Sequence, residues 1–262
     1  MGKAFKRLRD VISKYSFLFS ELVKRDFKQK YKRTVLGMLW SVLSPLLTLF
    51  VMKIIFTEFF GRNTPHFTIY LLSGNIVMSY YRESTRSGMN SLVSNAGIIS
   101  RIKVPQYMFL LSRNVSALIN FGLTIVVYFA FCIFDHIHFG FHMFALIYPI
   151  VCLLLMNIGI GMILSAWYVF FRDIEYLYGV FLTLLTYLSA IFYTLDRFPE
   201  RTQRLFLMNP VYVMIKYFRL VVIDEKIPST AYHGLCAFYA LFFLCMGCIA
   251  YKRNRQKFLY YM

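Results

Sequence analysis

FTIYLLSGNIVMSYYRESTRSGMNSLVSNAG, residues 67–97, decides how the chain is threaded. It starts as a strongly apolar run and keeps that character only to Tyr81. Arg82, Glu83 and Arg86 follow, and then small and polar residues. About 20 residues are needed to cross the hydrocarbon layer. The stretch therefore spans only if its inner end is shielded by protein or reaches the headgroups. Five other stretches are long and apolar enough without such help: about 36–56, 115–134, 144–169, 177–195 and 232–250. Counting 67–88 as a span makes six and puts both termini on the cytoplasmic side. The cytoplasmic pieces 1–35, 82–114, 170–176 and 251–262 then hold 21 basic and 6 acidic residues, +15 of the formal +17. That is the positive-inside pattern. Dropping 67–88 would send either the basic head or the basic tail outside.

Composition agrees. Of 262 residues 59% are hydrophobic and 16% charged, whereas soluble domains run near about 45–50% and about 25%. A large soluble enzyme is not expected. The basic residues flank the spans, where anionic inner-leaflet lipid accounts for them, so a nucleic-acid surface is not expected. Cys132, Cys152, Cys236, Cys245 and Cys248 all fall in apolar runs and are odd in number, which rules out a disulfide scaffold. The expected fold is an all-α polytopic membrane protein with a transmembrane domain over 36–250. A cytoplasmic interface helix precedes it in 1–35, and a basic tail, 251–262, follows it. A cytoplasmic segment occupies 89–113 and an extracytoplasmic re-entrant segment occupies 196–230.

The head, YSFLFSELVKRDFKQKYKRTV (15–35), repeats Phe19, Val23, Phe27 and Tyr31 at intervals of four, beside Leu22. Lys24, Lys28 and Lys32 form a parallel cationic row flanked by Arg25 and Arg33. A helix with one apolar-aromatic face and one cationic flank lies in the inner interface. It serves either as a membrane anchor or as a docking platform. Lys53, three-quarters along the first span, is placed to snorkel outward, with Glu58 following. Pro45, Asn157, Gly159 and Gly161 suit bends or close packing within spans.

The outer segment 196–230, DRFPERTQRLFLMNPVYVMIKYFRLVVIDEKIPST, holds two semi-apolar halves, neither long enough to cross. Pro210 after Asn209 opens the second half, which carries Lys216 and Arg219. Two short interfacial or re-entrant helices are expected. The inner segment NSLVSNAGIISRIKVPQYMFLLSRN reads as a short helix carrying Arg101 and Lys103, with Val104 held extended by Pro105.

No G-x-x-x-x-G-K-[ST], H-E-x-x-H or G-x-S-x-G occurs, so neither ATP binding in the P-loop manner nor these catalytic centres are expected. His136, His138 and His142, with Asp135 beside them, have spacings that could hold a metal, but a short interfacial loop needs none; no metal site is assigned. Cys245 and Cys248 read as packing residues.

Four motifs in order resemble the membrane subunits of type-two ABC exporters for cell-surface polysaccharides and teichoic acids. The first is YKRTVLGMLWSVLSPLL (31–47), which resembles an R-x-x-x-L-G-x-x-W type start through Arg33, Leu36–Gly37 and Trp40, with Leu36–Gly37 one residue nearer the arginine. The second is SLVSNAGIISRIKVPQYMF (91–109), with Ile98–Ile99, Arg101 and Val104–Pro105 in the family's places and Val104 where Phe is more usual. FRDIEYLYGVFLTLLTYLSAIFY (171–193) and MNPVYVMIKYFRLVV (208–222) complete the set.

The resemblance implies a homodimer paired with two copies of a separate nucleotide-binding ATPase, which binds ATP and Mg, so this chain holds no cofactor. It implies ATPase-coupling contacts at Lys24, Arg25, Lys28, Lys32, Arg33, Ile98, Arg101, Lys103 and Pro105. Asn209, Pro210, Lys216 and Arg219 would belong to an outer re-entrant pair guarding the exit. The cargo would be an undecaprenyl-linked polymer, polyol phosphate or glycan, with a slight lean to teichoic acid, moved across a bacterial cytoplasmic membrane. Sugars stack on aromatic rings, which nominates Trp40, Tyr70, Tyr80, Tyr81 and Tyr187 as path liners, and Arg82 and Arg86 as contacts for a pyrophosphate or as inner anchors. An exporter of small lipids or drugs, and a non-transporting membrane enzyme or scaffold, are the competing readings.

Overall fold

A computed structural model describes residues 2–262 apart from 33, 60–65, 102–103, 196–197, 255–257 and 259–262. The side chains of 2–14, 31, 38, 49, 52–53 and 56–59 are also outside the description. Arg33, Lys103 and the side chain of Lys53 fall in these gaps. The described chain is all-helical, without a strand. Helix α1 covers Gly2–Tyr31, α2 Trp40–Phe59, α3 Phe67–Asn90, α4 Ala96–Ile99 and α5 Tyr107–Phe134. Then follow α6 (Ile147–Tyr168), α7 (Ile174–Leu188), α8 (Glu200–Phe206), α9 (Pro210–Val222) and α10 (Thr230–Asn254).

Among the described residues three stretches are long and apolar enough to cross a membrane: α5, the 28 residues of Phe141–Tyr168, and α10. A fourth arises if α8 and α9, bent at 107° to each other, count as one span. Helix α3 is the centre of the bundle. Ile69, Leu72, Val77, Met78, Tyr80, Tyr81 and Met89 are all buried in the main apolar core, shared with α5, α6 and α9. Its polar C-terminal half is protein-shielded: Ser84 and Thr85 are fully buried, Ser84 Oγ donates to Asn114 Oδ1 of α5, and Tyr178 of α7 donates to Thr85 Oγ1 at 2.6 Å.

Backbone contact sets the α6–α10 crossing. A Cβ on Gly159 would overlap the Phe243 carbonyl, and one on Gly247 the Gly159 carbonyl. Small residues let helices approach this closely in lipid. Gly88 and Gly161 do the same for α3 and α6.

Two boundaries differ from the apolar runs. Helix α5 begins at Tyr107, well before residue 115, because its polar first turns pack against α1 rather than lipid. Helix α7 stops at Leu188, although the apolar run continues to 195. Ala190 takes a left-handed φ of 48°, which breaks the helix and turns its carbonyl toward Arg219.

Candidate functional site

One site is built by α1 and the elbow around α4 that leads into α5. Leu18 and Leu22 pack into a satellite core with Leu92, Ile99 and Phe109. One turn further on, at the same spacing of four, comes Asp26, whose side chain is 1% exposed. The helix thus meets the bundle along Leu18–Leu22–Asp26, while the row Phe19, Val23 and Phe27 is half-buried beside it. Around the Asp26 carboxylate, Arg25 donates from Nη2 at 2.8 Å and Nε at 3.1 Å, and Ser112 Oγ donates at 2.8 Å. Arg113 Nε stands 3.6 Å away. Arg25 Nη2 also donates to Asn95 Oδ1 at 2.8 Å, tying α1 to the elbow. A buried carboxylate persists only with such compensation.

Beside this clasp lies a cleft of about 870 Å³ lined by Arg25, Lys28, Gln29, Lys32, Ser94, Asn95, Ile98 and Arg113. Of the nominated coupling residues, Arg25, Lys28, Lys32 and Ile98 line it together. Lys24 is turned to Glu21 at 2.8 Å, Arg101 is exposed on the far turn, and Pro105 starts α5 by accepting from Met108 N. Arg33 and Lys103 lie outside the described residues.

A second cavity, about 570 Å³, runs between α2, α3 and α5. Each helix turns a polar stripe into it: Ser41, Ser44 and Thr48; Asn75, Ser79 and Arg82; Asn120 and Thr124. Those spacings of three and four put each set on one helix face. Polar side chains inside a membrane domain are costly, and they mark pathways or water-filled cavities. Trp40, Tyr80 and Phe121 supply its aromatic wall, the last two stacked at 4.4 Å.

The nominated path residues divide. Trp40, Tyr80 and Arg82 meet in this crevice, and Arg82 also donates to Thr186 of α7 at 2.9 Å. Tyr81 is buried in the main apolar core. Arg86 faces a separate pocket with Glu175 and Thr183, Tyr187 is exposed near the C-terminal end of α7, and Tyr70 belongs to a polar cap at the opposite end of the bundle from α4.

That cap is held by Arg219, only 7% exposed. Its Nη1 donates to the Ala190 carbonyl at 2.9 Å, Nη2 to those of Tyr70 at 3.1 Å and Ile191 at 3.3 Å, and Nε to Tyr70 at 3.3 Å. The guanidinium lies 3.4 Å over the Tyr70 ring, whose hydroxyl donates to the Tyr193 carbonyl at 2.7 Å. Gly74 makes the room, since a Cβ there would sit 2.9 Å from Arg219 Nη2. Asn209 caps α9 by accepting from Val211 and Tyr212 N–H, with Pro210 at the first turn. Its amide donates back to Leu188 and Ser189. Lys216 stands over the rings of Tyr212 and Tyr232 at 6.0 and 5.5 Å.

Among the described residues no three His, Cys, Asp or Glu groups gather to hold a metal. Asp135 instead pairs with His66 at 2.7 Å, joining the start of α3 to the end of α5. All five cysteines are free.

Asp26, Asn95, Ser112 and Arg113 escaped sequence reasoning, as did Lys30 and Glu83, paired at 2.7 Å. For Asp26 a signal existed: an acid at the same helical spacing as Leu18 and Leu22. The stripes on α2, α3 and α5 were also legible as spacing, but single Ser, Thr and Asn residues in apolar runs attract no notice.

Residues 18–223 match the family described as ABC-2 type transporter. An O-antigen export system permease protein of Klebsiella pneumoniae is 29% identical over 208 residues, covering 78% of this chain and 80% of that protein. One from Myxococcus xanthus is 22% identical over 260 residues, 96% and 98% of the two chains. A polysialic acid transport protein of Escherichia coli is 21% identical over 245 residues, 91% and 93%. With four-fifths or more of each relative's length covered and the family match running from the head helix through α9, the chain belongs to the ABC-2 type transporter family.

Proposed function

We propose that this chain is the permease subunit of an ATP-driven exporter that carries lipid-linked cell-surface polysaccharide out of the cytoplasm across the bacterial cytoplasmic membrane. The observation that carries the proposal is the near full-length similarity to permeases named for O-antigen and polysialic acid export. Those names weigh toward a glycan over the polyol-phosphate polymer of teichoic acid. In this reading two copies of the chain pair with two ATPase subunits, and six spans leave both termini cytoplasmic. Helices α2, α3, α5, α6, α7 and α10 supply the spans, with α8 and α9 as an outer re-entrant pair.

The chemistry of each part suits its task. The basic cleft between α1 and the elbow offers cations to acidic groups of the ATPase, so nucleotide-driven closure presses on α1. The crevice offers hydroxyls, amides and rings. A glycan exchanges hydrogen bonds with water for equivalent ones there, and its CH faces lie on Trp40 and Tyr80, so it slides without being trapped. In this reading Arg82, in the crevice, and Arg86, in its own pocket, would meet the phosphates of an undecaprenyl carrier at the inner end.

Inverted membrane vesicles containing the chain and its ATPase test this. Lipid-linked glycan added outside is expected to become protected from a glycosidase when ATP is supplied. ATP-dependent movement of small lipids only, or protection of a polyol-phosphate polymer but not of glycan, would overturn it.

A further inference from the structure

Two contacts one helical turn apart tie α1 to the membrane helices, and they differ in kind. At Asp26 the carboxylate is buried and surrounded by Arg25, Ser112 and Arg113, an arrangement expensive to dismantle. At Lys30 the ammonium stands 2.7 Å from Glu83 Oε1 of α3, with the side chains 43% and 34% exposed. The same oxygen accepts from Asn120 Nδ2 of α5 at 2.8 Å. A half-exposed pair of this sort is weak, and water replaces it at little cost.

The weak contact stands at a strategic place. A cavity of about 460 Å³ lies between the two ties, lined by Asp26, Gln29, Arg113 and Ser116. The crevice of about 570 Å³ lies on the other side. Lys30 and Glu83 line both, so the ion pair is a partition between them. The preceding residue, Arg82, donates to Thr186 of α7, so a shift at Glu83 also reaches the opposite flank of α3.

We infer that Lys30 and Glu83 are a positioning pair that couples motion of α1 to the crevice. Helix α1 swings about the anchored Asp26, and the displacement one turn on separates Lys30 from Glu83 and joins the two cavities. This rests on the export reading above, in which the ATPase moves α1.

The test uses the complex with its ATPase, with assembled complex quantified first. Variants are Lys30→Glu, Glu83→Lys and the double reversal. Each single reversal puts like charges in contact and is expected to cut export about tenfold or more, while ATP hydrolysis stays within about twofold. The double reversal is expected to recover at least about a third of export, the signature of direct pairing. A merely structural pair would lower assembly and hydrolysis along with export. A second readout needs no glycan. Thr124→Cys in the crevice, with the native cysteines as blank, is labelled from the cytoplasmic side by a membrane-impermeant thiol reagent. ATP in the otherwise native complex, and Lys30→Glu without ATP, should each raise the labelling rate severalfold.

A double reversal no better than the singles at equal assembly, or labelling indifferent to both ATP and Lys30→Glu, overturns the inference. Labelling that responds in a complex that moves no glycan would refute the polysaccharide reading and support the pair.

Discussion

Replacing Arg219 by methionine removes the cation that holds the broken end of α7 against α3, and the structure sets the size of the effect. Among the described residues Arg219 is the one side chain that donates to the Ile191 carbonyl, and an unmet buried carbonyl costs about 1–3 kcal/mol. The Ala190 carbonyl retains the Tyr70 hydroxyl at 3.4 Å and the Tyr70 carbonyl retains Ser73 Oγ at 2.9 Å, so each loses less. The stacking of the guanidinium on Tyr70 adds up to about 2 kcal/mol when desolvated. Against this, methionine no longer needs a charge kept out of water, which returns a part of the loss. A net destabilisation of about 2–3 kcal/mol results, or about 4–12 °C in melting temperature for a domain of this size.

Lysine should be worse than methionine, because it keeps the buried charge and loses the planar fork that reaches three carbonyls at once. Unfolding in detergent can be followed with a thiol-reactive dye, since Cys132, Cys152 and Cys236 are buried and react on melting while Cys245 and Cys248 give the baseline. A lysine variant as stable as the wild type would show that charge alone suffices and would refute the carbonyl-clasp reasoning. An unchanged melting temperature for Arg219→Met would do the same.

Gly159→Ala puts a methyl into the Phe243 carbonyl, so α6 and α10 must separate, at about 1–3 kcal/mol or more; a similar fall in melting temperature is expected, whereas Gly122→Ala, with open space around it, should change little. Asp26→Ala leaves Arg25, Arg113 and Ser112 without their shared acceptor and should loosen the α1 clasp by about 3–5 kcal/mol. Hydrogen exchange over 15–30 should accelerate in that variant while exchange in the α6 core is unchanged. In Tyr178→Phe the hydrogen bond to Thr85 is lost, which should cost about 1–2 kcal/mol in the same melting assay.

Apolar runs and charge placement made the helical, membrane-embedded character legible, because hydrocarbon imposes its own length and polarity on a sequence. The break after α7 was not legible. Residues 189–195 are as apolar as the helix before them, and what stops it is the pull of Arg219 on backbone carbonyls, which no side-chain pattern names. The α8–α9 pair was legible in outline from Asn209–Pro210, since an Asx cap followed by proline is a local signal. At the site beside α4 the cationic row of α1 stood out. Asp26 drew no role from the sequence, yet it is the residue on which the helix is fixed; its partners Ser112 and Arg113 lie 86 residues or more along the chain. Long-range pairing of this kind appears only once the helices are packed.

The central claim is export of a lipid-linked polysaccharide, and depletion of this chain in its own cell tests it most directly. Surface glycan and glycan retained inside the cytoplasmic membrane are measured in the same cultures. Loss of the surface polymer with carrier-linked glycan accumulating on the cytoplasmic side, restored by the wild-type chain, is the predicted result. Undiminished surface glycan with no carrier-linked glycan retained inside would contradict it.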